Sequence, residues 1–179
     1  MNIFVTGGSR GIGAAIVRAA VERGHHVAFT YRESRSAADD LRGWAEERAV
    51  PCRSYALDVR DGGRVDAVAE EVVDDFGEIH AVIANAGVNK NGLAVSLPDG
   101  DWQEVLDTNL TGAFRVARAF LPHFLSRRSG RFVFMSSLGH RGVTGQVAYA
   151  ASKAGLLGLS ATLAKEYGPR GITSNCLVP

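Results

Sequence analysis

Two of the 179 residues are cysteine, two are methionine and two are tryptophan, and no apolar run approaches the about 20 residues that a membrane-spanning helix needs. Cys52 and Cys176 stand far apart and form neither a CxxC pair nor a metal-ligand spacing. Reduced thiols in a cytoplasmic protein are therefore expected, not a disulfide framework. The five histidines show no ligand spacing either, so no metal is expected. Charge of one sign is also lacking: 20 basic and 19 acidic residues leave a formal net charge of +1. That balance argues against a nucleic acid or an anionic membrane as partner. Met1–Val5 has no basic start and runs directly into glycines, unlike a secretory signal. No linker, internal repeat or biased tract is visible.

A hydrophobic fraction of 46% with 22% charged residues describes an ordinary globular chain, and its length suits one domain spanning 1–179. Short apolar runs alternate with amphipathic stretches of helical length. Strands are predicted at 2–5, 26–31, 53–56, 80–84, 130–136 and 173–177; helices are predicted at 11–23, 36–48, 62–76, 102–127 and 149–167. Segments such as AVIA and RFVFM are apolar throughout instead of alternating, the pattern of strands covered on both faces in a parallel sheet. The repeated strand–helix–strand order predicts an α/β fold, a Rossmann-type doubly wound parallel sheet with helices on both faces.

Glycine is abundant, at 21 residues, and its first cluster carries chemistry. The first strand runs into Thr6-Gly7-Gly8-Ser9-Arg10-Gly11-Ile12-Gly13, and a helical pattern starts at once. Glycines at such a turn let the backbone approach a pyrophosphate, and the helix N-terminus offers unpaired N–H groups to the anion. Gly7, Ser9, Arg10, Gly11, Ile12 and Gly13 are candidate nucleotide contacts. Arg32 ends the second strand, where an acid would hold a ribose 2′-OH. With Arg10 it favours a 2′-phosphate, hence NADP(H); Glu33, one residue further on, leaves NAD(H) open.

Tyr149 and Lys153 stand at i and i+4 and share a helix face. A nearby lysine cation stabilises a phenolate and makes a tyrosine a usable acid near neutral pH. Ser136-Ser137 ends the fifth strand, at the sheet edge where a hydroxyl can polarise a carbonyl. Asn85-Ala86-Gly87 ends the fourth. Asn109 interrupts a helix, an unfavourable place for asparagine unless it bonds elsewhere; its plain alternative is a surface polar residue.

TGGSRGIG, Asp58-Val59, NAG, TNLTG, SS, YAASK and Arg170–Asn175 occur in the order and rough spacing of the short-chain dehydrogenase/reductase family, which the chain resembles over essentially its whole length. Within that family it is most similar to the 3-oxoacyl-[acyl-carrier-protein] reductases and their relatives. The resemblance implies reduction of a ketone to a secondary alcohol with NADP(H). Tyr149 would be the proton donor, Lys153 would assist it and hold the nicotinamide ribose, and Ser137 would polarise the carbonyl. Asn109 would hold a water linking Lys153 to solvent. Asp58 and Val59 would flank the adenine, and Asn85, Ala86 and Gly87 would lie near the adenosine ribose. It further implies a homodimer or homotetramer through the two long helices, and a carrier-docking role for Arg128 and Arg170, which otherwise are solvated surface arginines.

Two departures stand out. The family's serine-to-tyrosine spacing of about 13 fits Ser136, while counting from the start of the fifth strand favours Ser137 with one residue missing from the loop at 138–146. Ser137 is preferred, with Ser136 as a sheet residue. Family members run to about 250 residues; the resemblance therefore implies that this core lacks the C-terminal segment carrying a substrate lid and a seventh strand. Other carbonyl or alcohol substrates (sugar, polyketide or steroid), a non-catalytic nucleotide-binding fragment, and an interaction subunit are the rival readings. His140 and Arg141, in the loop before Tyr149, have no motif that assigns them.

Overall fold

The computed structural model describes all 179 residues. Six strands, β1 (Asn2–Val5), β2 (His26–Tyr31), β3 (Cys52–Ala56), β4 (Ala81–Ala84), β5 (Gly130–Met135) and β6 (Ile172–Leu177), form one parallel sheet in the order β3-β2-β1-β4-β5-β6. Every neighbouring pair runs parallel. Antiparallel hairpins would be closed by tight turns; these strands instead need crossovers, and helices supply them. The helices are α1 (Gly11–Glu22), α2 (Arg35–Glu46), α3 (Gly62–Phe76), α4 (Asp99–Leu106), α5 (Gly112–Arg127) and α6 (Val147–Tyr167).

The core is split by the sheet. On one face Val17, Ala20 and Val21 of α1 and Ala38, Leu41 and Ala45 of α2 pack on Ile3, Val5, Val27 and Phe29. On the other, α3, α5 and α6 pack on Phe4, Ala28, Val82, Phe132 and Phe134. Consecutive residues of one strand, such as Phe4 and Val5, thus enter different cores. This is why the strands are apolar throughout instead of alternating. A row of tilted rings binds α5 to the sheet, with Phe4 and Phe120 centroids 4.8 Å apart and Phe124 and Phe132 centroids 5.0 Å apart.

Local signals set the ends. Asp61 caps α3 by accepting from the backbone N–H of Arg64, and Gly77, at φ 69°, ends it. Most boundaries shift by a residue or two from the sequence expectation: β3 begins at Cys52, β4 at Ala81, β6 at Ile172 and α6 at Val147. Ser136 is not a strand residue; β5 ends at Met135, although Ser136 still donates its backbone N–H to Leu177 O at 2.8 Å.

Two corrections are larger. The helix expected at 102–127 starts at Asp99 and is broken by a π-helical turn, Asp107–Thr111. Periodicity cannot register one extra residue in a turn, because the apolar face simply resumes after it. The second concerns apolar length. Within Val147–Arg170 an 18-residue window reaches a mean hydropathy of 1.2, enough to cross a membrane by length and composition alone. Small residues raise that mean without forming a continuous apolar run. In the fold, Leu156 and Leu163 of α6 lie in the core.

Candidate functional site

In a doubly wound sheet a ligand crevice opens beyond the carboxyl ends of the strands, where the strand order reverses. Here the reversal falls between β1 and β4, since β1 lies between β2 and β4. A cavity of about 260 Å³ occupies that place. Its wall is made by the segments that leave β1, β2, β3 and β4.

Of the residues expected there, Gly7, Ser9, Arg10, Ile12, Gly13, Arg32, Asp58, Val59, Asn85, Ala86 and Gly87 all line this cavity. Gly11 does not; it begins α1 in a left-handed conformation, φ 55°, and turns the chain into the helix. Gly13 shows why the loop needs glycine. A Cβ at this position would stand 2.1 Å from the Gly7 carbonyl oxygen and 2.7 Å from Asn85 Nδ2.

Asn85 ties the loop to β4. Its Nδ2 donates to Thr6 O at 3.0 Å and Gly7 O at 3.1 Å. Two threonines missed in the sequence complete this stitching. Buried Thr6 accepts the backbone N–H groups of Asn85 and Ala86, each at 3.0 Å, and buried Thr30 accepts that of Gly7 at 3.2 Å. Their signal was a threonine directly after one apolar strand and another within the next. A further wall residue, Thr108, has a buried hydroxyl with no hydrogen-bond partner.

Charges ring the cavity rim. Arg32 pairs with Glu33 at 2.6 Å and lies 3.9 Å from Glu104, which also approaches Arg60 at 3.8 Å and Lys90 at 3.1 Å. Arg60 grips Asp58 with two nitrogens, and these hydrogen bonds hold the Asp58 carboxyl below the usual carboxylate range. Arg10 is exposed. Glu104, the shared counter-ion on α4, carried no motif in the sequence.

The second group of residues lies at the end of β5 and the start of α6. Lys153 is 5% exposed, and its Nζ donates to Met135 O at 2.6 Å. Nζ stands 5.6 Å from the Tyr149 ring centroid. It also reaches the cavity wall, since a Cβ on Gly87 would lie 3.6 Å from it. Burial pushes the Lys153 ammonium down to about 8. Ser136 is buried and spends its hydroxyl on Lys153 O at 2.8 Å. Ser137 is half-buried and accepts the backbone N–H of Gly139 at 3.2 Å. Gly139 runs between the two candidate groups: a Cβ on it would meet Tyr149 Cε1 at 3.3 Å and Ser137 Oγ at 3.5 Å.

Asn109 is not a surface residue; it is 1% exposed within the π turn. Its Oδ1 accepts from Val88 N at 2.8 Å, while its Nδ2 donates to Val88 O at 2.9 Å and Ser152 Oγ at 3.1 Å. Both amide hydrogens are thus taken, and Oδ1 keeps one free lone pair. In the side chain, only that lone pair is left for a water.

The cavity fits a dinucleotide by three features of its own: a glycine turn that admits no side chain at Gly13, the N-terminus of α1 facing the turn, and guanidinium groups at the rim. Sheet order, glycine turn and switch-point cavity together define a nucleotide-binding protein of the Rossmann class. Comparison with known proteins goes further. The profile of the short chain dehydrogenase family matches residues 1–179. The chain is 36% identical over 179 residues to the 3-oxoacyl-[acyl-carrier-protein] reductase FabG of Staphylococcus epidermidis and to that of Staphylococcus aureus, covering 99% of this chain and 73% of each relative. It is 36% identical over 177 residues to FabG of Salmonella typhimurium, covering 98% of this chain and 71% of that one. The chain belongs to the short-chain dehydrogenase family, whose members are nicotinamide-dependent oxidoreductases.

Proposed function

We propose that the chain reduces a ketone to a secondary alcohol with NADP(H), on a 3-oxoacyl thioester of the kind named in its relatives. The observation that carries this reading is the convergence of Ser137, Tyr149 and Lys153 where β5 ends and α6 begins, with Gly139 threaded between Ser137 and Tyr149 and Lys153 reaching Gly87 of the cavity wall. The nicotinamide ring, when bound, supplies the hydride. Tyr149 Oη gives its proton to the carbonyl oxygen as negative charge develops there, and Ser137 donates a hydrogen bond to the same oxygen. Lys153, buried on the next turn of α6, is the cation that favours the deprotonated tyrosine. Asn109 acts on this group by fixing Val88 and Ser152; its remaining lone pair supports a water that returns a proton from solvent.

Arg10 and Arg32 in the cavity wall favour the 2′-phosphate of NADP(H). Glu33 in the same wall is the observation that favours NAD(H), since a carboxylate there accepts from a 2′-OH. Titrating the chain with NADPH and with NADH decides between them. The same family reading includes assembly through the outer faces of α5 and α6 and docking of an acidic carrier protein at Arg128 and Arg170.

The decisive experiment is Tyr149→Phe, assayed with NADPH and an acetoacetyl thioester. Turnover should fall by at least about a thousandfold while the NADPH dissociation constant stays within about twofold. Full activity in Tyr149→Phe would remove the proton-donor assignment.

A further inference from the structure

Beyond β5 the chain enters a loop that ought to be pliant. It carries Gly139, Gly142 at φ 101° and Gly145 at φ 77° before α6 begins. Ser137 opens this loop in an extended conformation, outside any regular element. A group that must meet a substrate oxygen needs to be held within about 0.5 Å of its working place. Something in the loop has to supply that constraint.

The loop closes on Ser137 through one residue, His140, by its backbone and its ring together. The carbonyl oxygen of Ser137 receives the backbone N–H of His140 at 3.0 Å and His140 Nδ1 at 2.6 Å. A carbonyl can only accept, so Nδ1 is the protonated ring nitrogen. Both lone pairs of the carbonyl are then filled from one residue. The resulting 3₁₀ turn, Leu138–Arg141, aims the Gly139 N–H at Ser137 Oγ. That bond occupies an acceptor position of the hydroxyl and leaves its hydrogen free to donate outward. It also sets Gly139 in the narrow space beside Tyr149, where even one added carbon would be in contact with both groups.

We propose that His140 is a positioning residue: its Nδ1–H clamps the Ser137 carbonyl, and the clamp orients the Ser137 hydroxyl and spaces it from Tyr149. This rests on the carbonyl-reducing role of Ser137 proposed above. His140 acts through Ser137 and need not touch the substrate. An asparagine side chain at 140 offers an N–H where the ring has Nδ1; alanine offers nothing.

The test uses the 179-residue chain as His140→Ala, His140→Asn, Ser137→Ala and the double variant Ser137→Ala/His140→Ala. With NADPH and an acetoacetyl thioester, His140→Ala should lower kcat about tenfold to a hundredfold, leaving the NADPH dissociation constant unchanged, and His140→Asn should recover to within about threefold of the parent. In the Ser137→Ala background, His140→Ala should cost nothing more, because the hydroxyl it orients is gone. Independently of turnover, amide exchange at Gly139 should accelerate about tenfold in His140→Ala and stay slow in His140→Asn, and the ¹⁵N shifts of the parent's ring should report a protonated Nδ1. Independent, multiplying losses in the double variant, or equal Gly139 exchange in all forms, would overturn the proposal. A parent chain that binds NADPH without turning over would instead count against the reductase reading, and the exchange data would still decide the clamp.

Discussion

Replacing Asn109 by alanine sets two physical effects of opposite sign against each other. As a helix residue alone, alanine is better than asparagine by about 0.6 kcal/mol, so propensity predicts a small gain. The structure predicts a loss. Asn109 is 1% exposed and satisfies both backbone groups of Val88, at 2.8 and 2.9 Å. Each orphaned backbone group costs about 1–3 kcal/mol, and Val88 is only partly buried, so the lower half of that range applies to each. The bond from Asn109 to Ser152 matters less, since the Ser152 hydroxyl still donates to Tyr149 O at 2.7 Å. With the small cavity left by the lost carboxamide, the net destabilisation is about 3 kcal/mol. In a chain of this size that lowers the melting temperature by about 6–12 °C, readable by thermal unfolding followed by circular dichroism. A melting temperature equal to or above the parent's would show that the Asn109–Val88 bonds contribute nothing net, and the placement of Asn109 at the centre of this site would lose its basis.

Other consequences can be checked on the same footing. Gly13→Ala drives a methyl group into the Gly7 carbonyl and Asn85, rigid parts of the cavity wall, and should lower stability by about 1–3 kcal/mol and dinucleotide affinity at least about tenfold by calorimetry; unchanged affinity would mean the turn does not hold the pyrophosphate. Thr108→Val removes a buried hydroxyl that has no partner while keeping the side-chain volume, and should raise the stability of the ligand-free chain by about 1 kcal/mol in urea unfolding; a drop would reveal a bond to that hydroxyl. Lys153→Met should show a pH signature. Below pH 8 the folded chain carries the full burial penalty of the ammonium; between there and the ordinary lysine value of 10.5 the folded form has shed a proton that the unfolded form keeps. The parent should therefore gain about 3 kcal/mol relative to the variant across that window, and a constant difference between pH 7 and pH 10 would contradict the burial shift.

Much of this architecture could be read from residue order. Strands buried on both faces announce themselves, as AVIA does at β4, and the glycines at 7, 11 and 13 mark the only kind of turn that lets α1 start so close to β1. The order of sequence motifs likewise gathered the cavity wall, because each motif ends a strand and parallel strands deliver their ends to one edge. What stayed hidden depends on side chains meeting across the fold. A threonine just after one apolar strand and another within the next is a faint local signal; the function of Thr6 and Thr30 appears only when Gly7, Asn85 and Ala86 arrive beside them. Glu104 is one more exposed-looking acid on a helix until Arg32, Arg60 and Lys90 converge on it from three loops. The π turn at Asp107–Thr111 is invisible for a different reason: it depends on the hydrogen bonds Asn109 makes to Val88, not on helix preference. His140 had a place but no role, because its partner is a carbonyl, which leaves no trace in a sequence.

The position of β1 also constrains when this protein can acquire its shape. Ile3 pairs on one side with Val27 and on the other with Ala81. As the chain leaves the ribosome, the first three strands can associate early, but one flank of β1 stays open until β4 has emerged. Through that interval Ile3, Phe4 and Val5 form an apolar strand edge, and the glycine turn lacks the Asn85 side chain that later binds its carbonyls. The nucleotide pocket therefore cannot form before β4 and Asn85 have emerged, and a chaperone shielding the first strands would be guarding an unfinished edge.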